Sequence, residues 1–353
     1  MIPFELVFNP NWWNKNCGIS FEKPFYFDAE TREKDDVIMR KVLYDRFGNM
    51  GQGEKNPQTR PVIGSLYVAG GFVVPALMGS GVKFSPAEAP VPLTKIFSPE
   101  GIQNYQRPDF LKTWPMDELI KSWDEQEKHY GYLCGDLCTD GLLNTAYHFM
   151  GPDLFSEMLT DPDSVRPFLR QIGLLTAEVA NYVHSRTGTF SISVNRAAAH
   201  LSPSPFILSN CSVQMISPRL YEKVHMPIER EMSEMIHPYG IHHCGVHMEK
   251  YAAGYQKIPP VFCDVGWESD PGKCRAELPD AFLNLRLSPI RMLNCSPDEM
   301  AADTEYLLSS VGALDNVGVC CINMDYGTPD ENIRAVYEVV EKYRKIASER
   351  KAS

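Results

Sequence analysis

The chain has 353 residues, of which 44% are hydrophobic and 22% are charged, a composition typical of a soluble globular protein with one large domain or two ordinary ones. Its net charge of −11 argues against a general nucleic-acid binder, which needs a basic surface to neutralise phosphates. No apolar run approaches the ~18 residues of a membrane span, and the first residues lack the basic and apolar segments of a signal peptide, so we expect a cytoplasmic protein with no membrane partner.

Residues 1–60 are rich in aromatic side chains and irregular in pattern, apart from one amphipathic helix predicted over Ala29–Phe47. We interpret them as an N-terminal extension that packs on a main domain spanning residues 61–353. Most of the ten cysteines are expected to be reduced and buried, because free cysteine behaves as a small hydrophobe and no spacing typical of a disulfide-rich domain is present.

In the main domain, short apolar segments alternate with helical patterns, which predicts strands paired in parallel through βαβ units. Acidic first turns and Ser-Pro or Thr-Pro pairs mark several helix starts. The predicted strands cover residues 63–68, 130–135, 190–195, 205–208, 239–244, 260–264, 282–286 and 317–322. Eight strands close a (β/α)₈ barrel of the α/β class, and the active site of such a barrel lies at the carboxyl ends of its strands.

The densest group of reactive side chains follows the fifth predicted strand, in the sequence Ile-His-His-Cys-Gly at residues 241–245. Since strand side chains alternate between faces, His242 and Cys244 point the same way and His243 points the other way. Imidazole and thiolate are ordinary zinc ligands, and Gly245 lets the chain turn away without crowding an ion. Two ligands do not make a zinc site, so burial of both as core residues is the alternative.

Further zinc ligands are expected at the ends of neighbouring strands. Cys320 and Cys321 end the eighth predicted strand, and alternation allows at most one of them to face the barrel interior. Together with His242 and Cys244, such a cysteine gives three protein ligands and one open position, as in a catalytic zinc site. Asp264, after the sixth strand, and Glu222, on the preceding helix, are the candidates for a further ligand or a catalytic carboxylate.

From about residue 64 onward, the chain resembles the uroporphyrinogen decarboxylase-like superfamily, and within it the zinc-dependent methyltransferases that serve corrinoid proteins. Besides the His-x-Cys-Gly segment, the resemblance rests on Ile-Ser-Pro-Arg-Leu-Tyr-Glu-Lys-Val at 216–224, Pro227, Ser-Pro at 288–289, Ser-Pro-Asp-Glu at 296–299 and Thr-Pro-Asp-Glu at 328–331.

The resemblance implies a (β/α)₈ barrel whose Zn²⁺ is held by His242, Cys244 and, most naturally, Cys321, with Cys320 as the alternative. In the family an acidic residue often precedes the Ser-Pro helix start, where this chain has Asn210, Cys211 and Ser212.

The resemblance also implies methyl transfer from a small-molecule donor to the Co(I) corrinoid of a partner protein, with zinc polarising the heteroatom that carries the methyl group. Four aromatic residues are candidates to line a pocket for a phenolic ring, which favours a methoxylated aromatic donor, as in an O-demethylase. These residues are Trp12, Trp13, Tyr132 and Trp267.

Methylamine, methanol or a thiol are alternative substrates of the same reaction class. An alternative of another class is a non-catalytic barrel whose zinc is structural or absent. A porphyrinogen decarboxylase is less favoured, because residues 9–14 lack the arginines that would bind porphyrin carboxylates.

Overall fold

The computed structural model describes residues 2–64, 71–190 and 195–352. The predicted first and third strands fall largely on residues 65–70 and 191–194, which lie outside the described residues. Within the described part the strands are β1 (Phe4–Phe8), β2 (Val82–Ser85), β3 (Glu88–Pro92), β4 (Phe206–Ser209), β5 (Tyr239–His242), β6 (Phe262–Val265), β7 (Phe282–Leu287) and β8 (Val317–Met324).

Six of these strands form one sheet in the order β1-β8-β7-β6-β5-β4, and each neighbouring pair is parallel. The sheet curls into a half-barrel, and β2 and β3 form a separate antiparallel hairpin. The α/β class and the parallel pairing of the last five predicted strands are therefore confirmed. Closure of the barrel is not seen within the described residues.

The N-terminal segment adds a strand that the sequence analysis did not assign. In β1, Phe4 pairs with Val319 and Leu6 pairs with Cys321, so the segment forms one edge of the sheet. The alternation of apolar residues in β1 spans only five residues, and the aromatic side chains around it obscured the pattern.

The predicted second strand, residues 130–135, is not a regular strand in the structure. A helix over Met116–Tyr130 takes its first residue, and Gly131 caps that helix with a φ of 79°. Only glycine adopts this conformation without strain, so the helix stops there. Beyond it, Cys134 forms a parallel bridge with Val62.

Helices connect the strands and cover the outer face of the sheet. Their bounds are α1 (Pro10–Cys17), α2 (Lys23–Phe27), α3 (Ala29–Phe47), α4 (Val73–Leu77), α5 (Pro99–Gln103), α6 (Met116–Tyr130), α7 (Leu142–Met150), α8 (Asp153–Thr160), α9 (Pro162–Thr187), α10 (Pro218–Leu220), α11 (Met226–Met235), α12 (Ala252–Tyr255), α13 (Pro271–Glu277), α14 (Pro289–Asn294), α15 (Pro297–Ser310) and α16 (Asp330–Ala352). Among residues 2–64, 71–190 and 195–352, we find no helix with the length and apolarity needed to cross a membrane.

The Ser-Pro pairs start helices as predicted. Ser217, Ser288 and Ser296 each accept a hydrogen bond from a backbone N–H in the first turn of α10, α14 and α15. Each cap contributes about 1 kcal/mol and fixes where its helix leaves the preceding strand or loop.

The two faces of the sheet differ in chemistry. On the outer face, side chains such as Leu283, Leu285 and Leu287 of β7 join the main hydrophobic core with the covering helices. On the inner face, the same strand carries Asn284 and Arg286, both fully buried. Parallel pairing brings the carboxyl ends of β4 to β8 to one edge, where the inner face becomes polar.

Candidate metal centre

Three side chains that can bind a metal meet at this carboxyl edge. Cys211 lies in the loop after β4, His242 is the last residue of β5, and Cys244 lies two residues beyond it. Their ligand atoms, two Sγ and one ring nitrogen, all lie within 4.8 Å of one another.

The register of β4 and β5 explains why the two cysteines meet. Ser209 pairs with His242, and the Asn210 N–H donates to the His242 carbonyl at 2.8 Å. Cys211 and Cys244 therefore stand at the same offset, two residues beyond a matched pair of inward-facing residues.

Two glycines let the loops after β5 and β6 approach closely. A Cβ built on Gly266 would lie 1.8 Å from the Gly245 carbonyl oxygen, and one built on Gly245 would lie 2.2 Å from the side-chain oxygen of Gln214. Side chains at these positions would push the loop that carries Cys244 away from its neighbours.

His242 is held by a buried polar chain. Its Nδ1–H donates to the Asp264 carboxylate, whose other oxygen accepts from the Asn284 amide at 2.6 Å. All three side chains are at most 5% exposed. A carboxylate on Nδ1 fixes the tautomer of the imidazole and leaves the Nε2 lone pair for a metal.

A buried cation completes the surroundings of this chain. Arg286 Nη1 lies 3.5 Å from His242 Nε2, and the guanidinium carbon lies 5.6 Å from the centre of the Trp267 ring. Burial lowers the pKa of Arg286, but the charges of Cys244 and Asp264 raise it by more, so the guanidinium stays charged.

The same charges act on the ligand side chains. Burial and Arg286 lower the pKa of His242, but its bond to Asp264 outweighs them, and the net direction is upward. The pKa of Cys244 lies far below that of an ordinary thiol, because Cys211 donates a hydrogen bond to it and because His242 and Arg286 add positive charge. The pKa of Cys211 is raised by the same bond and by burial. The two opposite directions favour Cys244 as the thiolate of the pair and Cys211 as its hydrogen-bond donor.

The donor set fits a transition metal. Two sulfurs and one imidazole nitrogen are typical zinc ligands, and a tetrahedral site with bonds of ~2.0–2.3 Å needs its ligand atoms ~3.5–3.8 Å apart. Because no separation exceeds 4.8 Å, a contraction of at most about 1 Å meets this geometry. Three protein ligands leave one position for a substrate atom.

Neither predicted cysteine of β8 belongs to this group. Cys321 faces outward, fully buried in the main hydrophobic core, and burial raises its pKa. Cys320 faces inward beside Val7 and Ile322, and it pairs in register with Arg286. The position that the sequence analysis gave to Cys321 is taken by Cys211 from the other side of the group.

The two predicted carboxylates lie in different places. Asp264 contacts His242 and thus orients a ligand instead of joining the group. Glu222 lies in the π-helical turn between α10 and α11, where it pairs with Lys257 at 2.9 Å and is 40% exposed. It is not brought to the site.

Of the four predicted aromatic residues, Trp267 lies beside the site, against Arg286. Trp12 and Trp13 are each 1% exposed and pack with Phe8 in the N-terminal core. Tyr132 is 50% exposed, just beyond the end of α6.

A cavity of about 200 Å³ opens next to Arg286. It is lined by Trp267, Glu268, Arg286, Leu287, Ser288, Arg291, Asp303, Tyr306 and Leu307. A larger cavity, of about 660 Å³, includes Phe4, Phe282 and Val317 at the amino ends of β1, β7 and β8, which is the edge opposite the metal ligands.

The fold of this chain is similar to that of a solved methyltransferase structure. A methyltransferase from Methanosarcina mazei matches with a TM-score of 0.67 and 13% identity, over 97% of this chain and 94% of that one. A mutant methylaspartate ammonia lyase from Clostridium tetanomorphum matches with a TM-score of 0.32 and 11% identity, over 92% of this chain and 66% of that one. No family model and no curated protein sequence matches the chain. The first likeness shows a shared fold over nearly the whole length.

Proposed function

We propose that this chain is a zinc-dependent methyltransferase that takes a methyl group from a methyl ether and transfers it to the Co(I) corrinoid of a partner protein. The observation that carries the proposal is the group of Cys211, His242 and Cys244, which offers three ligands at the carboxyl edge of a parallel sheet. The fold shared with a methyltransferase from Methanosarcina mazei supports the reaction class.

The proposal includes a (β/α)₈ barrel as the complete architecture. Two contacts outside the six-stranded sheet support it. Val62 and Cys134 form a parallel bridge, and the Thr189 hydroxyl donates to the Gly135 carbonyl at 2.8 Å. These two contacts join the chain near residues 62, 134 and 189, and they support the proposal that these stretches are neighbouring strands of a barrel.

When bound, zinc supplies a Lewis acid that draws electron density from the ether oxygen and makes it a better leaving group. Cys211, His242 and Cys244 would hold the ion, with both cysteines deprotonated. Asp264 and Asn284 keep the imidazole in the required tautomer, and their burial excludes water from that hydrogen-bonded chain.

The proposed reaction needs no added oxidant or reductant. The bond between the methyl carbon and oxygen breaks, and its electron pair stays on oxygen, which leaves as an alkoxide or phenolate. The electron pair of Co(I) forms the new bond to the methyl carbon, so the metal of the corrinoid is formally oxidised to Co(III).

Trp267 supports an aromatic methyl ether as the donor. Its ring lies in the wall of the cavity beside the site, where a flat substrate ring can pack against it. Methylamine, methanol and thiols are tested as competing donors in the assay below.

The test mixes the zinc-loaded chain with Co(I) cobalamin and a methoxylated aromatic compound, and it follows the absorbance of the methylated corrinoid. We expect product with the wild-type chain and a rate about 10³-fold lower with Cys244→Ala, the scale on which loss of a major electrostatic stabiliser acts. Cys17→Ala, in α1, is the matched cysteine control and should retain the rate. Absence of methylated corrinoid with every ether, amine, methanol and thiol tested would refute the proposal.

A further inference from the structure

Arg286 has an unused pair of hydrogen-bond donors. The side chain is fully buried on the inner face of β7, and its Nε and Nη2 atoms donate to no protein group among the described residues. The remaining nitrogen, Nη1, lies 3.5 Å from His242 Nε2, and the guanidinium also interacts with the Cys244 sulfur through a hydrogen bond and through its charge. Nε and Nη2 form one edge of the planar guanidinium, so their N–H bonds are parallel and fit the two oxygens of one carboxylate.

No acidic side chain among the described residues accepts a hydrogen bond from this edge, and Glu268, which lines the same cavity, is exposed to solvent. Asp264 is the buried carboxylate whose charge raises the pKa of Arg286. Its two oxygens already accept hydrogen bonds from His242 and Asn284. A buried cation with unmade hydrogen bonds is unfavourable, and the fold keeps one here in the wall of a cavity.

The cavity beside Arg286 suits a small ligand. Its volume of about 200 Å³ compares with the ~150 Å³ of a cavity that holds one benzene molecule. A second arginine in the wall, Arg291, is already bound to Asp303 through two hydrogen bonds of 2.6 and 3.1 Å. Arg286 is therefore the cationic group of this wall that is left for a ligand, among the residues that the structure describes.

We propose that Arg286 is an anion-recognition group and that the substrate is a small carboxylate about the size of a single aromatic ring. Combined with the proposed function, on which this part rests, the substrate class is a methoxylated aromatic carboxylate. Trp267 is a positioning residue, because its ring face holds the guanidinium.

The test compares benzoate with benzamide, a neutral compound of nearly the same shape, by isothermal titration calorimetry on the full chain with its metal bound. We expect benzoate to bind at least ten times more tightly than benzamide, and this preference to vanish in Arg286→Gln. Arg286→Lys keeps the charge but loses the fork, so its affinity for benzoate should fall about tenfold.

Arg40→Gln is the control for loss of a buried arginine. Arg40 is 2% exposed, and its donors are taken by Asp36, Glu54 and the Gln58 carbonyl. The folded variant should keep the full preference for benzoate. Thermal unfolding and metal content, measured for every variant, separate loss of the fold from loss of recognition.

Equal binding of benzoate and benzamide, or no binding of benzoate, by the wild-type chain would overturn the inference, as would an undiminished preference in Arg286→Gln. If that variant does not fold, the folded Arg286→Lys decides, and unchanged affinity there overturns the inference. Benzoate binding that depends on Arg286, without methyl transfer from any donor, removes the proposed function and leaves this inference standing. Methyl transfer by a chain that shows no preference for benzoate over benzamide supports the proposed function and overturns this inference.

Discussion

Replacing Cys211 by alanine is expected to abolish tight zinc binding while the fold is kept. The residue lies in the loop after β4 and is only partly buried, so its removal leaves no large cavity. It does leave one imidazole and one thiolate for the metal. A four-ligand zinc site contributes about 10–16 kcal/mol, so one ligand is worth about 3–4 kcal/mol, or a rise in Kd of roughly 10²–10³-fold.

Replacing Cys321 by alanine is expected to lower the stability of the fold and to leave zinc binding unchanged. Its side chain is fully buried in the outer core, between the sheet and its helices. Loss of the sulfur removes packing and costs about 1 kcal/mol, which lowers the Tm by roughly 1–2 °C in a chain of this size. Zinc binding should not change.

The two variants are compared by zinc content per chain after dialysis against a chelator, by competition with a coloured chelator, and by thermal unfolding. If Cys321→Ala loses zinc while Cys211→Ala keeps it, the third ligand comes from β8 and the register argument for β4 and β5 fails. If both variants retain wild-type affinity, neither sulfur is a ligand.

Three further changes test the surroundings of the site. Asp264→Asn keeps one acceptor oxygen, whereas the native carboxylate uses two, one for His242 and one for Asn284. Zinc affinity should therefore fall about 10–100-fold in the chelator competition. Unchanged affinity would show that the orientation of His242 is unimportant. Asp140 precedes α7, its charge raises the pKa of Cys211, and its carboxylate accepts from the Gly141 N–H and the Asn144 amide. Burial raises the pKa of Asp140 to about 6 against ~3.9 in the unfolded chain, so stability should decline as pH rises from about 4 to about 6. Asp140→Asn should therefore raise the free energy of unfolding in urea by up to about 3 kcal/mol at pH 7 and hardly at all at pH 4, and an equal gain at both pH values would contradict this cause. Gly266→Ala forces a Cβ against the Gly245 carbonyl and should cost more than about 3 kcal/mol, measured by urea unfolding, whereas a wild-type midpoint would show that the loops can separate.

Much of the site follows from local patterns. The alternation of side chains along a strand suffices to put His242 and Cys244 on one face, and the structure brings their ligand atoms together. The same rule turns His243 outward, where its Nδ1 lies 2.8 Å from the Tyr255 hydroxyl. Ser-Pro pairs predict helix starts because both the cap and the fixed φ act within one turn.

The third ligand could not be read from a local pattern, because it depends on the register between two strands. The equal offset of Cys211 and Cys244, each two residues beyond a strand end, is seen only when the structure fixes those ends at Ser209 and His242. Nothing in the sequence alone states that Ser209 pairs with His242. Adjacent cysteines in β8 gave a stronger local pattern, but alternation turns Cys321 toward the helices.

The inner face of the sheet shows why the site lies where it does. Near the amino ends of their strands, Ile207, Phe262 and Phe282 form an apolar layer with the short turn 196–200. Two residues further along β6 and β7, the same face carries Asp264 and Asn284, and the layer becomes polar.

Apolar side chains at positions 264 and 284 would fill the space at no cost in desolvation, as Phe262 and Phe282 do two residues earlier on the same strands. A fully buried Arg286 with two unused donors makes this layer less stable than an apolar one of similar volume. Polar groups that are costly to bury and that surround a cluster of metal-binding side chains mark a site for chemistry, because stability alone does not favour them. The change from an apolar to a polar layer, two residues along β6 and β7, thus separates the part of the inner face of the sheet that supports the fold from the part that we propose acts on a substrate.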